Sequence, residues 1–258
     1  MKDALHAEWT KLRTAPGPAW LLLAAIALTI TLSAIATTVL TYTAVQSTVD
    51  TTKLALAGIY LGQTIIAILA VGIISGEYAT GMIRVTFAAT PHRITVLTAK
   101  ATTLTGLTLV AGTIAMLGSL LAGRYLLPHS GFTTGHGYPL LSLTHTATLR
   151  AAAGSVLYLA LIGLLSLGIA TAVRESAAAI GLVLALLYLF PILIRVVSDP
   201  HWQRHLKQIA PMNAGLEIQA TTGLHHLPIG PWAGLGVLTA WTAGALLLGT
   251  LLLKRRDA

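Results

Sequence analysis

The chain has 258 residues, of which 55% are hydrophobic and 9% charged, and its mean hydropathy is +0.79. Soluble domains carry about a quarter charged residues, so this composition excludes an ordinary soluble fold. The formal charge of +8 lies in basic residues scattered at the ends of apolar runs, which suits membrane anchoring and no nucleic acid, and the absence of cysteine excludes disulfides and thiolate chemistry.

Residues 1–18 predict a short helix lying on the inner membrane surface. Leu5, Trp9 and Leu12 follow i, i+4, i+7 spacing on one narrow face, while Lys2, His6, Lys11 and Arg13 lie off it. A frayed basic terminus that only sets topology is the alternative. Pro16-Gly17-Pro18 is expected to break this helix before the chain enters the bilayer.

Six apolar runs then follow, at about 20–40, 54–75, 96–121, 151–173, 177–197 and 232–253. Each is about 20 residues or more, enough at ~1.5 Å per residue to cross a ~30 Å hydrocarbon core. They do not alternate, so helices are expected, not barrel strands. The first run exceeds the ~7–15 residues of a leader's apolar region and is read as a span. Gly58/Gly62 and Gly230/Gly234 are GxxxG pairs that permit close helix approach, although a chain this rich in Gly and Ala does not single out a contact.

With six spans both termini share a side. On the side opposite the termini the basic residues are Lys53, Arg124, Arg150, Arg195, Arg204 and Lys207. The other ten of the 16 Lys and Arg lie with the termini, on much shorter segments. This density predicts cytoplasmic termini and a multi-pass protein of the inner membrane.

The loops differ in information. The first outer loop is short and Thr-rich. Residues 76–95, GEYATGMIRVTFAATPHRIT, carry Glu77, Arg84, His92 and Arg93, an Ile83/Phe87 pair at i, i+4, and Pro91. Residue chemistry alone leaves this segment equally a partner-binding element or a solvated connector. Arg174-Glu175 is the whole of the fourth connection and requires a tight helical hairpin. Residues 198–231 are divided by Pro200, Pro211, Pro228 and Pro231. They predict two short helices, near 201–209 and 213–221, that dip into the outer leaflet or cap a cavity.

Chemistry-bearing patterns are sparse. No GxxxxGK[ST], GxSxG or HExxH occurs, so ATP is not bound in the P-loop manner. Span interiors contain no Asp or Glu, which argues against ion-coupled transport and intramembrane aspartyl proteolysis. Seven of the nine histidines fall on the outer side. Among them His201 and His205 are at i, i+4, but no nearby set completes a metal site, and none is expected.

Gly76-Glu77-Tyr78-Ala79-Thr80-Gly81-Met82-Ile83-Arg84, then Ala89-Thr90-Pro91-His92-Arg93 and Lys100, resembles the permease subunits of ABC-2-type transporters. Glu8-Trp9-Thr10-Lys11-Leu12-Arg13 is similar to the opening helix of that family's bacterial members. Arg174-Glu175 resembles its span-four turn, and Ile209-Ala210-Pro211-Met212-Asn213-Ala214 its motif before the last span. The resemblance runs along the whole chain. It implies that the 76–95 segment is a coupling element docking into an ATPase subunit through Glu77, Tyr78, Gly81, Ile83, Arg84, Phe87, Pro91 and Arg93. It also implies that the opening helix approaches that ATPase, and that the segment before the last span is re-entrant. His92 stands where a small or basic residue is usual in the family.

The expectation is thus an all-α integral membrane protein, one transmembrane domain over 1–258. The 1–18 interfacial helix, the 76–95 cytoplasmic coupling segment and the 198–231 extracytoplasmic segment are its parts. Its function would be that of the permease subunit of an ATP-driven exporter for an amphipathic small molecule, peptide antibiotic or lipid-like compound. It would be no enzyme itself and would carry no cofactor, ATP and Mg residing on a separate ABC ATPase. Its other partners would be membrane lipid and a second permease copy, a homodimer being favoured over a heterodimer. The rival readings are a non-transporting immunity or binding protein and a membrane enzyme with an external histidine site.

Overall fold

A computed structural model of the chain describes residues 2–40, 49–89, 93–138 and 141–255. Among these there is no strand, and six helices are long and apolar enough to cross a bilayer. The protein is an all-α, multi-pass membrane protein.

The elements in order are α1 (Lys2–Thr14), α2 (Pro16–Val39), α3 (Thr51–Ala55), α4 (Ile59–Ala79), α5 (Met82–Ala89), α6 (Arg93–His129), α7 (Thr146–Val173), α8 (Ser176–Val196), α9 (Pro200–Ile209), α10 (Pro211–Leu216) and α11 (Pro231–Arg255), with 3-10 turns at Thr134–His136, Glu217–Gln219 and Leu224–His226. The spans are α2, α4, α6, α7, α8 and α11.

Several boundaries differ from the sequence expectation, each for a local reason. The break after α1 falls at Ala15, which is extended, and Pro16 opens α2 instead of interrupting it. A proline at the first helical position sacrifices only a donor that has no partner there anyway. The second run is split: Asp50 caps α3 by accepting from the amides of Thr52 and Lys53, and α4 begins only at Ile59. At the split the Gly58 amide donates to Ser33 Oγ of α2 at 3.0 Å. α4 runs on through Glu77, so the first residues of the expected loop form its last turn, and Gly81 at φ +71° makes the corner into α5. α6 has 37 residues, about 55 Å, and continues past the expected end at 121 because Leu127 is buried against the core.

The two-residue connection between α7 and α8 is the tight hairpin that its length required. Arg174 adopts φ 66° and closes α7 through its amide to Ala170 O, while Glu175 caps α8 by accepting from Ala177 and Ala178. Those two backbone donors, Ala178 first, hold the exposed Glu175 carboxyl below its ordinary value.

Helix α7 is the centre of the bundle. Of its membrane window 67% is buried, against 17% for α2 and 22% each for α8 and α11. Apolar helices in lipid gain little from leaving water, so they associate by close packing. Two backbone approaches show it. A Cβ on Gly58 would stand 1.8 Å from Thr29 O of α2, and one on Gly168 of α7 2.7 Å from the Ala245 backbone of α11. The first GxxxG pair is therefore used in full, since Gly62 also abuts Thr29. In the second, Gly234 packs on Ala214 O while Gly230 faces open space.

The two short helices before α11 exist as expected, with α10 starting at Pro211 and deeply buried. Pro211, Met212, Ala214, Gly215 and Leu216 are all inside, packed on Tyr158 of α7 and Leu238 of α11. Beside it, Asp50 also accepts from Thr221 Oγ1 at 2.8 Å and from the Thr222 amide at 3.1 Å, tying the start of α3 to the end of the inserted segment.

Gly58→Ala is expected to destabilise the protein by about 1–3 kcal/mol through overpacking against Thr29. Gly72→Ala, whose Cβ meets nothing within 4 Å, is expected to be neutral or stabilising by up to about 1 kcal/mol. Unfolding by SDS titration in bicelles checks the pair, and equal effects would contradict the packing described.

Candidate functional site

The termini-bearing end of the bundle collects α1, the last turn of α4, α5, the first turns of α6 and the end of α11. Arg93 Nη1 donates to Leu253 O at 2.7 Å and so joins the start of α6 to the end of α11. Inside this group lie four charged side chains. Lys100 of α6, 1% exposed, donates from Nζ to Glu77 Oε1 at 2.6 Å, to Glu8 Oε2 at 2.9 Å and to Ile73 O at 3.2 Å. Lys11 Nζ reaches Glu77 Oε1 at 2.8 Å, Glu8 Oε1 at 3.1 Å and Thr86 Oγ1 at 3.4 Å. Two carboxylates and two ammoniums thus alternate across three chain segments, net neutral.

Each member is placed by its helix. Glu8 and Lys11 are i, i+3 on α1 and point the same way. Glu77 is on the last turn of α4, and Lys100 projects two turns into α6. A buried charge is tolerated only when paired and hydrogen-bonded, and here all three protons of each ammonium are used. Burial works against the Lys11 ammonium, but the hydrogen bonds and charges of Glu77 and Glu8 outweigh it and hold its pKa above 10.5.

The residues named from sequence divide into an inward and an outward set. Glu77, expected to offer polar contacts to a partner, is turned inward because Lys100 needs its charge. Ile83, expected on an apolar docking stripe, is buried at 3%. Tyr78 is half-buried with Arg174 stacked 5.2 Å from its ring centre, Gly81 is the corner, and Arg93 is held by α11. Arg84 remains exposed, and beside it stand Met82 and Val85, 47% and 69% exposed, which the sequence reading did not single out. Pro91 and His92 lie outside the described residues, as does the side chain of Phe87. On α1, Leu5 and Trp9 line a groove with Leu22, Ile26 and Leu107, whereas Leu12 faces a separate cavity, and Arg13 is exposed. Lys11 lies in the ion-paired group, where water-facing had been expected.

Glu8 and Lys100 escaped the sequence reading as site residues. The signal was present: Lys100 stands inside an apolar run, where a lone cation needs carboxylates, and Glu8 and Glu77 are among the few acidic residues near that end of the chain. A second polar group lies deeper. Gln63, the only amide side chain within the spans, donates from Nε2 to Tyr188 OH at 3.0 Å and to Met212 Sδ at 3.2 Å, and its Oε1 accepts from Tyr158 OH. This network pins α10 between α4, α7 and α8. His201 and His205 approach at 3.1 Å between Nε2 atoms, and among the described residues no group of three or more ligand-type side chains is placed to hold a metal.

No protein-family model matches this chain, and no curated protein shows significant similarity to it.

Lys100→Met leaves Glu8 and Glu77 only Lys11 to share, with one buried negative charge uncompensated, and is expected to cost about 3–5 kcal/mol. Lys11→Met is expected to cost less, because water reaches its ammonium. Both are read by SDS or thermal unfolding in bicelles. Lys11 also gives a pH test. Its pKa is raised in the fold, so its contribution is complete below the unfolded value of 10.5 and is lost as pH rises through the higher folded value. The stability gap between wild type and Lys11→Met should therefore stay constant through neutral pH and shrink only above about 10.5, and a gap closing near pH 7 would contradict the assignment.

Proposed function

We propose that the protein is the membrane-spanning subunit of an ATP-driven exporter, and that a separate ATPase engages it at the termini-bearing end. The reading rests on the resemblance of residues 76–100 and of the other three motifs to ABC-2-type permeases. The observation that carries it is the ion-paired group, which ties α1, α4 and α6 into one unit while leaving the face of α5 with Met82, Arg84 and Val85 uncovered. Force applied to α5 would reach α4 through the Gly81 corner and Thr86, and from there pass to α1 and α6 through short charge-assisted bonds. The chain has no phosphate loop, so the hydrolysing subunit is a partner. Arg84 and Val85 supply contact to that partner, Glu77 and Lys100 supply rigidity behind it, and a second copy of the chain completes the pathway. The cargo class that suits apolar spans of Ala, Leu, Thr and Gly is amphipathic.

Co-expression with an ATPase encoded beside this chain, followed by pull-down, tests the reading. Arg84→Glu with Val85→Asp is expected to reduce ATPase recovery by about tenfold or more, and to change the stability of the isolated subunit by less than about 0.5 kcal/mol. Transport by the purified chain with no nucleotide-hydrolysing partner would overturn it.

A further inference from the structure

Beneath the ion-paired group lies an open cavity of about 500 Å³, lined mainly by α1, the first turns of α2, and α4. Its walls are apolar, formed by Leu12, Leu21, Leu69 and Ile73, and Gly72 and Gly76 leave its α4 side open. At its polar end stand Glu8, Lys11, Glu77 and Lys100. The hydrogen-bonding capacity left at that end has one sign. Lys100 spends its three protons on Glu8, Glu77 and Ile73, and Lys11 spends its own on Glu8, Glu77 and Thr86. A carboxylate oxygen accepts about two hydrogen bonds. Each oxygen of Glu8 takes one among the described residues, and Glu77 Oε2 takes only a 3.4 Å contact from Thr86. Among these four side chains free acceptors therefore remain, and free ammonium protons do not.

We propose that this cavity binds an amphipathic amine, its alkyl part against α2 and α4 and its ammonium donating to Glu77 and Glu8. An anionic amphiphile of the same length finds no unspent ammonium proton at that end and meets two carboxylates. The larger cavity between α7, α8 and α11, about 840 Å³, is a contrast. The indole N–H of Trp241 on its wall is already donated to Ile209 O at 3.0 Å, so it offers apolar surface and nothing to orient a charged head. The inference goes beyond the transport reading and holds with or without an ATPase.

The test is equilibrium binding of radiolabelled dodecylamine to the full chain in phosphatidylcholine nanodiscs, with radiolabelled dodecanoate as the acid of equal chain length and empty nanodiscs as background. Saturable binding of the amine, at least about tenfold tighter than the acid, is expected. Gly72→Leu fills the cavity from open space and should weaken amine binding about tenfold or more at unchanged thermal stability. Gly244→Leu, likewise in open space but on the wall of the larger cavity, should leave it unchanged. Equal binding of acid and amine, no saturable amine binding, or loss with Gly244→Leu but not with Gly72→Leu would each overturn the proposal. The acid–amine comparison in the wild type decides even if Gly72→Leu does not fold. Because no ATPase is present, failure here leaves the docking of an ATPase on α5 untouched.

Discussion

The Lys100 ammonium is the constraint on which this end of the molecule turns. It sits inside a membrane helix with almost no access to water, where an unpaired charge costs several kcal/mol even after relaxation. It has to be surrounded, and its surroundings are supplied by two other stretches of chain: Glu8 from α1, and Glu77 with the Ile73 carbonyl one turn earlier from the end of α4. Moving α1 by one turn would withdraw Glu8 from Lys100 and Lys11 from Glu77 at once. A helix that by composition could have lain anywhere along the membrane surface is thereby given one position. Such a pair contributes less to net stability than its distances suggest, because desolvation offsets most of the attraction, but it penalises every arrangement that leaves one charge alone.

Away from that end the same logic works with weaker groups. Lipid gives apolar helices no reason to prefer one neighbour over another, so shape and buried hydrogen bonds decide. Gly58 and Gly62 take Thr29 between them, Gly168 meets the α11 backbone, and α7 becomes the helix that others pack around. Gln63 then locates the inserted α10 through Tyr158, Tyr188 and Met212, and Asp50 fixes the far side of the same insertion. The inserted segment is thus held from below by an amide and from above by a carboxylate. Its non-spanning backbone is therefore covered by neighbouring helices.

The six spans, the hairpin at Arg174-Glu175 and the short helices before the last span were legible because each follows from run length or from proline position. The coupling segment was legible only in part. Ile83 and Phe87 are spaced as a stripe, but spacing does not say which side of an eight-residue helix faces the protein. Burial of Ile83 turns Met82 and Val85 outward instead. Glu77 read as a loop charge because the apolar run ends before it, whereas helix α4 continues for another turn once Lys100 supplies a partner. The split of the second run at residues 56–58 had no local signal, since it depends on Ser33 and Thr29 of another helix.

By itself the amino-acid sequence determined that this chain crosses a membrane six times as helices, where proline would interrupt or open them, and that no nucleotide loop is present. Those are properties of residues and their near neighbours, governed by the cost of exposing backbone and charge to hydrocarbon. Only the tertiary structure decided which charges meet, which glycines are in contact, which helix is central and which face of α5 is left open. Such matters depend on pairs far apart in the chain, Lys100 with Glu8 and Gln63 with Tyr158 among them, and no local pattern records them.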